Sequence, residues 1–156
     1  MRGQLMENRK YETYYNENLQ KSLEYQDFVL EQVIKNLGFN ISYYCSRKYQ
    51  REKGESLNGI EIKFQDRLKD TGNIYIEYAE KSNPNNKEYW PSGIDTEDKS
   101  WLWITGDYKT IYIFPKNYLK MLKNSKFAKH KTTSTSKGYI LTMEDAERYA
   151  AKVIKL

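Results

Sequence analysis

Two carboxylates and an ammonium group stand at alternating positions of two short segments: Glu61 and Lys63 within residues 59–65 (GIEIKFQ), and Glu77 within residues 73–81 (NIYIEYAEK). In an extended chain successive side chains point to opposite faces. Ile60, Ile62 and Phe64 therefore share one face of the first segment, and Glu61, Lys63 and Gln65 share the other. In the second segment Ile74, Ile76 and Tyr78 oppose Tyr75, Glu77, Ala79 and Lys81. Residues 69–72, Lys-Asp-Thr-Gly, favour a turn, so the pattern predicts an antiparallel hairpin with one charged face. Pairing about Thr71 sets Gln65 opposite Glu77 and Lys63 opposite Ala79, whereas a slip of two residues sets Lys63 opposite Glu77. Either register gathers two acids and a lysine on one surface. Such a surface is a solvated sheet face whose cross-strand ion pairs contribute about 0.2–1 kcal/mol each, or it is a place where carboxylates hold a divalent cation against a phosphodiester.

The elements around this hairpin must come from one domain, because 156 residues support a single core and not two. Residues 1–21 read as an accessory N-terminal arm and 22–156 as the domain. From Ser22 the spacing of Leu23, Leu30, Val33, Ile34 and Leu37, closed by Gly38, predicts a helix, with Glu24, Asp27 and Glu31 along the flank of its apolar stripe. Residues 41–46 read as a first strand. The polar connection that follows, residues 47–55, carries Arg47, Lys48, Arg51 and Lys53, which would contact phosphates if it overhangs the charged face.

Beyond the hairpin, residues 82–87 and 91–94 are turn-rich. Residues 101–104 and 110–114 predict two more strands joined through residues 106–109, and Pro115 opens a short helix over residues 116–123. Residues 131–137 form a polar loop with basic ends, and residues 138–141 an edge strand. Thr142 caps a closing helix whose inner side carries Ala146, Tyr149, Ala150, Val153 and Ile154. The expected fold is α/β of the α+β kind: a mixed β-sheet with an antiparallel meander, flanked by helices.

Composition narrows the chemistry. A net charge of +5 suits an acidic partner, and 15 Tyr interleaved with Lys and Arg can stack on bases or fill a sheet. The single cysteine, Cys45, excludes an internal disulfide framework and a cysteine zinc site, and the single histidine, His130, excludes a His-based pair or cluster. Residues 1–10 lack the apolar core of a signal peptide, and no apolar run approaches bilayer length. These features predict a soluble, cytoplasmic protein with no membrane partner.

A helix carrying acids, an antiparallel meander, and acids with a lysine on its strands together resemble the PD-(D/E)xK, or restriction-endonuclease-like, nuclease superfamily. The segments Gly54-Glu55, 59–63, 71–77, Ser92-Gly-Ile94 and Trp101 are similar to small phage and mobile-element members, and the resemblance spans residues 22–123. It implies a restriction-endonuclease-like core and a Mg²⁺- or Mn²⁺-dependent nuclease acting on DNA more readily than RNA. It implies Glu61 and Glu77 as metal ligands, with Gln65 at the position of a third, and Lys63 beside the attacking water. A homodimer is compatible with this reading.

The chain departs from the pattern where Ala79 replaces the lysine two residues after Glu77, so that Lys63 or Lys81 must supply the ammonium. It departs again at Gln65, where an aspartate is expected, the adjacent Asp66 pointing to the opposite face unless a bulge re-aims it. A second assignment takes Glu61-Ile-Lys63 as the ExK motif with Glu55 upstream. The alternative function is a catalytically inactive, nuclease-derived nucleic-acid-binding or regulatory module, Gln65 recording a lost ligand. A protein-interaction module built on the Tyr- and Trp-rich surface is a third.

Overall fold

The computed structural model describes residues 2–156, and the side chains of all of these except residues 2–9, 11, 47 and 51. The chain opens with one helix, α1 (Arg2–Leu37), which runs unbroken through the expected boundary between arm and domain. Its buried face is Tyr25, Val29 and Val33, spaced four residues apart, while Ile34 of the expected stripe lies outside and is 47% exposed. Residues 12–17 are exposed, so α1 is held through its C-terminal half.

Residues 41–46, expected as a strand, make no ladder, although Ile41 is buried against α1 and the first sheet. The basic connection is instead a helix, α2 (Arg47–Lys53), capped at its start by the Ser46 side chain and closed by Gly54 at φ 72°.

The predicted hairpin is not formed. Strand β1 (Ile60–Phe64) pairs in parallel with β4 (Leu102–Gly106), and β4 pairs antiparallel with β5 (Thr110–Pro115). The connection after β1 folds as a short helix, α3 (Leu68–Thr71), that carries the chain into a second sheet. There β2 (Asn73–Glu80) lies between β3 (Trp90–Pro91) and β7 (Ser136–Thr142), all antiparallel, with β6 (Lys129–Thr132) beyond β7.

The β4–β5 hairpin and the helix α4 (Lys116–Lys123) form where the sequence predicts them. Residues 131–137 contribute to the β6–β7 hairpin, which makes β7 an interior strand instead of an edge. Thr142 caps α5 (Met143–Tyr149) by accepting from the Asp145 amide, as expected. That helix stops short of Val153 and Ile154, which enter a further strand, β8 (Lys152–Lys155), paired with β5. Their β-branched side chains suit a strand, and β5 has a free edge to fill. The fold class is as expected: mixed helix and strand, with a mixed sheet of order β1-β4-β5-β8 and an antiparallel sheet of order β3-β2-β7-β6.

Alternation along the strands builds two cores on opposite faces of the first sheet. Ile60, Ile62, Leu102, Ile104, Ile111, Ile113 and Ile154 meet α1 on one face. Trp103, Tyr112 and Phe114 meet Ile74, Ile76, Tyr139 and Leu141 of the second sheet on the other. Glu61 lies between Ile60 and Ile62 on β1 and so faces the second sheet.

No backbone ladder joins β1 to β2. The side chain of Gln65 takes its place: Nε2 donates to the Tyr75 carbonyl at 3.0 Å and Oε1 accepts from the Tyr75 amide at 3.2 Å, while Nε2 also donates to Thr105 Oγ1 at 3.0 Å. Gln65→Leu keeps the volume and strands both Tyr75 backbone groups, so it is expected to lower stability by about 1–3 kcal/mol. Urea denaturation measures this, and an unchanged midpoint would show that the sheets dock without the amide.

Candidate active site

Although β1 and β2 belong to different sheets, the cleft between them collects the predicted residues. Glu61, Lys63 and Glu77 line one cavity of about 200 Å³ together with Lys53, Glu80, Ser92, Asp98 and Trp103. Gln65 fixes the alignment. Its amide stands against Tyr75, which brings Lys63, one pleat back on β1, towards Glu77, one pleat on along β2.

Glu61 is only 5% exposed, and its Oε1 accepts from Lys63 Nζ at 2.8 Å. The carboxylate also lies against Gly54, where a Cβ would stand 3.5 Å from both carboxylate oxygens. Burial lifts its pKa above the ordinary carboxylate value; Lys63 opposes the rise, and the acids Asp98 and Glu55 add to it. For Lys63, whose side chain is 47% exposed, partial desolvation works against the charge, but Glu61, then Glu77 and Glu80, outweigh it and raise the pKa, so the ammonium is protonated at neutral pH.

Glu77 Oε1 accepts from Ser92 Oγ at 2.8 Å. Burial raises this carboxyl as well, Ser92 pulls it down and Glu80 pushes it up. Ser92 is delivered by the turn Gly93–Asp95, and only glycine fits at 93: φ is +51° and a Cβ would sit 2.0 Å from the Glu77 carbonyl oxygen. A register shift between Glu77 and Ala79 inserts one extra residue in β2. In a regular strand residues 77 and 80 face opposite ways; the bulge puts both carboxylates into the cleft.

A second acid pair adjoins this layer, with Asp98 lining the cleft and Glu55 buried behind it. Glu55, bridged to Glu61 through the backbone, is 4% exposed, and its Oε2 has no hydrogen-bond partner among the described residues. Burial, then Asp98, raises its pKa. Asp98 is held low by its bonds to Lys116 and Ser100, which outweigh the effect of burial. Lys116, itself 3% exposed, donates to Asp98 Oδ1 at 2.8 Å, Ser100 Oγ at 2.7 Å and the Thr96 carbonyl at 3.1 Å, pinning the loop that brings Asp98 to the cleft.

The remaining predicted residues lie elsewhere. Gln65 spends its amide on Tyr75 and Thr105, so the expected third-ligand position is turned into the junction between the sheets. Lys81 donates to the Asn86 carbonyl at 2.9 Å and lies over the Tyr89 ring, away from Glu77. On α2, Lys53 reaches the cleft and Lys48 makes a loose, exposed pair with Glu52; the side chains of Arg47 and Arg51 fall outside the described residues. Glu24 and Asp27 line a separate hollow beside Tyr43. Ser92, Glu80 and Asp98 join the site without a mark in the sequence that assigns them to it. The Ser-Gly pair after Pro91 signals a tight turn, but only the fold shows which acid it meets.

Glu61 and Glu77 are the carboxylates of this cleft that could hold a hard cation. Mg²⁺ is commonly held by one or two carboxylates with water completing its shell, and Glu61 and Glu77 offer that number. Among the described residues no group of three acids or histidines converges tightly enough to form a complete protein cage.

The raised carboxyls fix the sign of the stability profile. A folded state that holds protons more tightly than the unfolded chain loses stability as pH rises from the ordinary value of 4.5 through the raised one. In metal-free buffer, stability is expected to fall as pH rises above the ordinary carboxyl value of 4.5, and Glu61→Gln to flatten the slope, with Glu77 and Glu55 supplying what is left. Denaturant midpoints across that range measure it; parallel profiles for parent and variant would contradict the assignment.

Among the described residues no helix is long and apolar enough to cross a membrane. The chain matches no protein-family model, no curated protein and no solved structure.

Proposed function

We propose that this chain is a divalent-metal-dependent nuclease of the PD-(D/E)xK kind, acting on DNA. The observation that carries the reading is the convergence of Glu61, Lys63 and Glu77 on one cleft from strands of two different sheets. A solvated strand face needs no such convergence. It would not bury an acid at 5% exposure against a lysine either, since removing a carboxylate from water is costly unless the site uses it.

Glu61 and Glu77 are the residues that would hold Mg²⁺ or Mn²⁺. When bound, the ion supplies charge compensation to the phosphodiester and acidifies water near neutral pH. Ser92 fixes the Glu77 carboxylate by donating to Oε1, leaving the other oxygen for the cation. Lys63 remains charged beside Glu61, where its ammonium can hold a non-bridging phosphate oxygen or orient the attacking water. Glu55 stands behind Glu61, and Asp98, paired with Lys116, stands beside it; both acids push the Glu61 pKa up.

With Mg²⁺ or Mn²⁺, the purified protein is expected to cleave plasmid or linear DNA. Lys63→Ala is expected to reduce the rate by about 10²–10⁴-fold and to lower thermal stability as well, because the buried Glu61 loses its partner, while Lys81→Ala leaves the rate unchanged. Intact plasmid, linear, single-stranded and branched substrates would overturn the reading. Salt-sensitive binding without cleavage would instead support the inactive binding module.

A further inference from the structure

Around Gln65 the two strands that line the cleft also border a second, larger groove. It has a volume of about 360 Å³ and is lined by Gln65, Arg67, Thr71, Asn73, Tyr75, Lys131 and Thr133, with Asp66 and Ile140 completing the wall. Groove and cleft occupy consecutive stretches of β1 and β2. On β1 the face that carries Glu61 and Lys63 continues to Gln65; on β2 the face that carries Glu77 continues back to Tyr75 and Asn73, about 7 Å per pleat.

We infer that this groove seats the sugar-phosphate backbone of one DNA strand beside the scissile phosphate, with Arg67 and Lys131 holding its phosphates. The inference rests on the nuclease reading for the identity of the strand and extends it to a binding surface away from α2, where the sequence alone points. Arg67 precedes α3 and Lys131 lies on β6, so two cations from distant parts of the chain face one polar groove. Neither has a carboxylate partner within 4.0 Å among the described residues.

Two such cations against the single acid Asp66 give the groove a net positive charge, the complement of a phosphate chain and the reverse of the acid-rich cleft. The Thr71 hydroxyl donates to the Arg67 carbonyl at 3.0 Å and the Thr133 hydroxyl is bonded to Ser136 Oγ at 2.9 Å, so both shape the wall, and the Tyr75 ring, packed over Gly138, where a Cβ would stand 2.5 Å from the ring, gives the floor a flat apolar surface. The Tyr75 hydroxyl is already bonded to Ser136 at 2.9 Å, which holds the ring in place. A space of this size lies within the range of small-ligand pockets and accepts one backbone segment, not a duplex.

The test is fluorescence anisotropy with a labelled single-stranded oligodeoxynucleotide across a salt series, in EDTA so that cleavage plays no part. Arg67→Ala/Lys131→Ala is expected to weaken binding and to lower the log–log salt slope by about 1.4, or about 0.7 for each phosphate no longer neutralised. Lys152→Ala/Lys155→Ala, on β8 at the far edge of the first sheet, should leave affinity and slope unchanged. Both cations of the groove pair are exposed, so a matching thermal melt confirms that the variant folds.

If the parent cleaves DNA in Mg²⁺ but the groove variant keeps parental affinity and slope, the groove is wrong and the nuclease stands. If the variant loses affinity and the parent never cleaves, the groove stands and the nuclease falls. Tighter binding of a matched oligoribonucleotide overturns the assignment to DNA, and no binding by the parent overturns the groove.

Discussion

One side-chain amide sets the geometry on which the rest depends. β1 and β2 lie in different sheets and exchange no backbone hydrogen bonds, yet their charged residues share one cleft. Gln65 solves this by presenting a carboxamide where a ladder residue would present its peptide: both atoms of its head engage the backbone of Tyr75, and a second donor bond to Thr105 fixes the head on the first sheet. Thr105 in turn donates to the Lys63 carbonyl at 3.0 Å. The residue that sets the alignment is thus tied to the strand that bears the lysine. An aspartate at this position is one methylene shorter and has no amide donor, so it could not make the same junction.

A cleft lined by Glu61, Glu77, Glu80 and Asp98 must withstand its own repulsion. Lys63 answers part of it at Glu61, and Ser92 answers part at Glu77. Deeper in, Lys116 neutralises Asp98 with every donor of its ammonium group engaged, and Glu55 is left with an oxygen that has no partner among the described residues. Charges arranged this way cost stability at neutral pH, as the raised carboxyls record. Stability here is given up locally and recovered from two apolar cores, in keeping with the general conflict between a prepared polar site and a stable fold.

The faces of β1 and β2 are legible in the sequence because a period of two is written into each strand separately. Glu61 and Lys63 share a side whatever strand lies next to them. Strand pairing is not legible in the same way: residues 69–72 carry turn chemistry that serves a hairpin or a single helical turn equally, and the choice is made by β4, a strand some forty residues away, pairing with β1 in parallel. The helix expected to run on to Ile154 ends early for a related reason, since the spacing of Ala146, Tyr149 and Ala150 is helical but Val153 and Ile154 answer the free edge of β5. The bulge at Tyr78 leaves no sequence mark at all, and with it goes Glu80.

What holds the site together is therefore a set of separately anchored segments and not one hairpin. β1 brings Glu61 and Lys63 and is buried between α1 and the second sheet. β2 brings Glu77 and Glu80 and is paired on both sides, with β3 and β7. The turn Gly93–Asp95 brings Ser92, seated so closely on the Glu77 carbonyl that no side chain is tolerated at 93, and Lys116 ties the loop carrying Asp98 to the start of α4. Each anchor is a buried contact that a solvent-exposed loop could not supply, and each is fixed independently of whatever occupies the cleft. A cleft built in this way is held in place by the fold alone, so any ligand it takes would not have to order the protein.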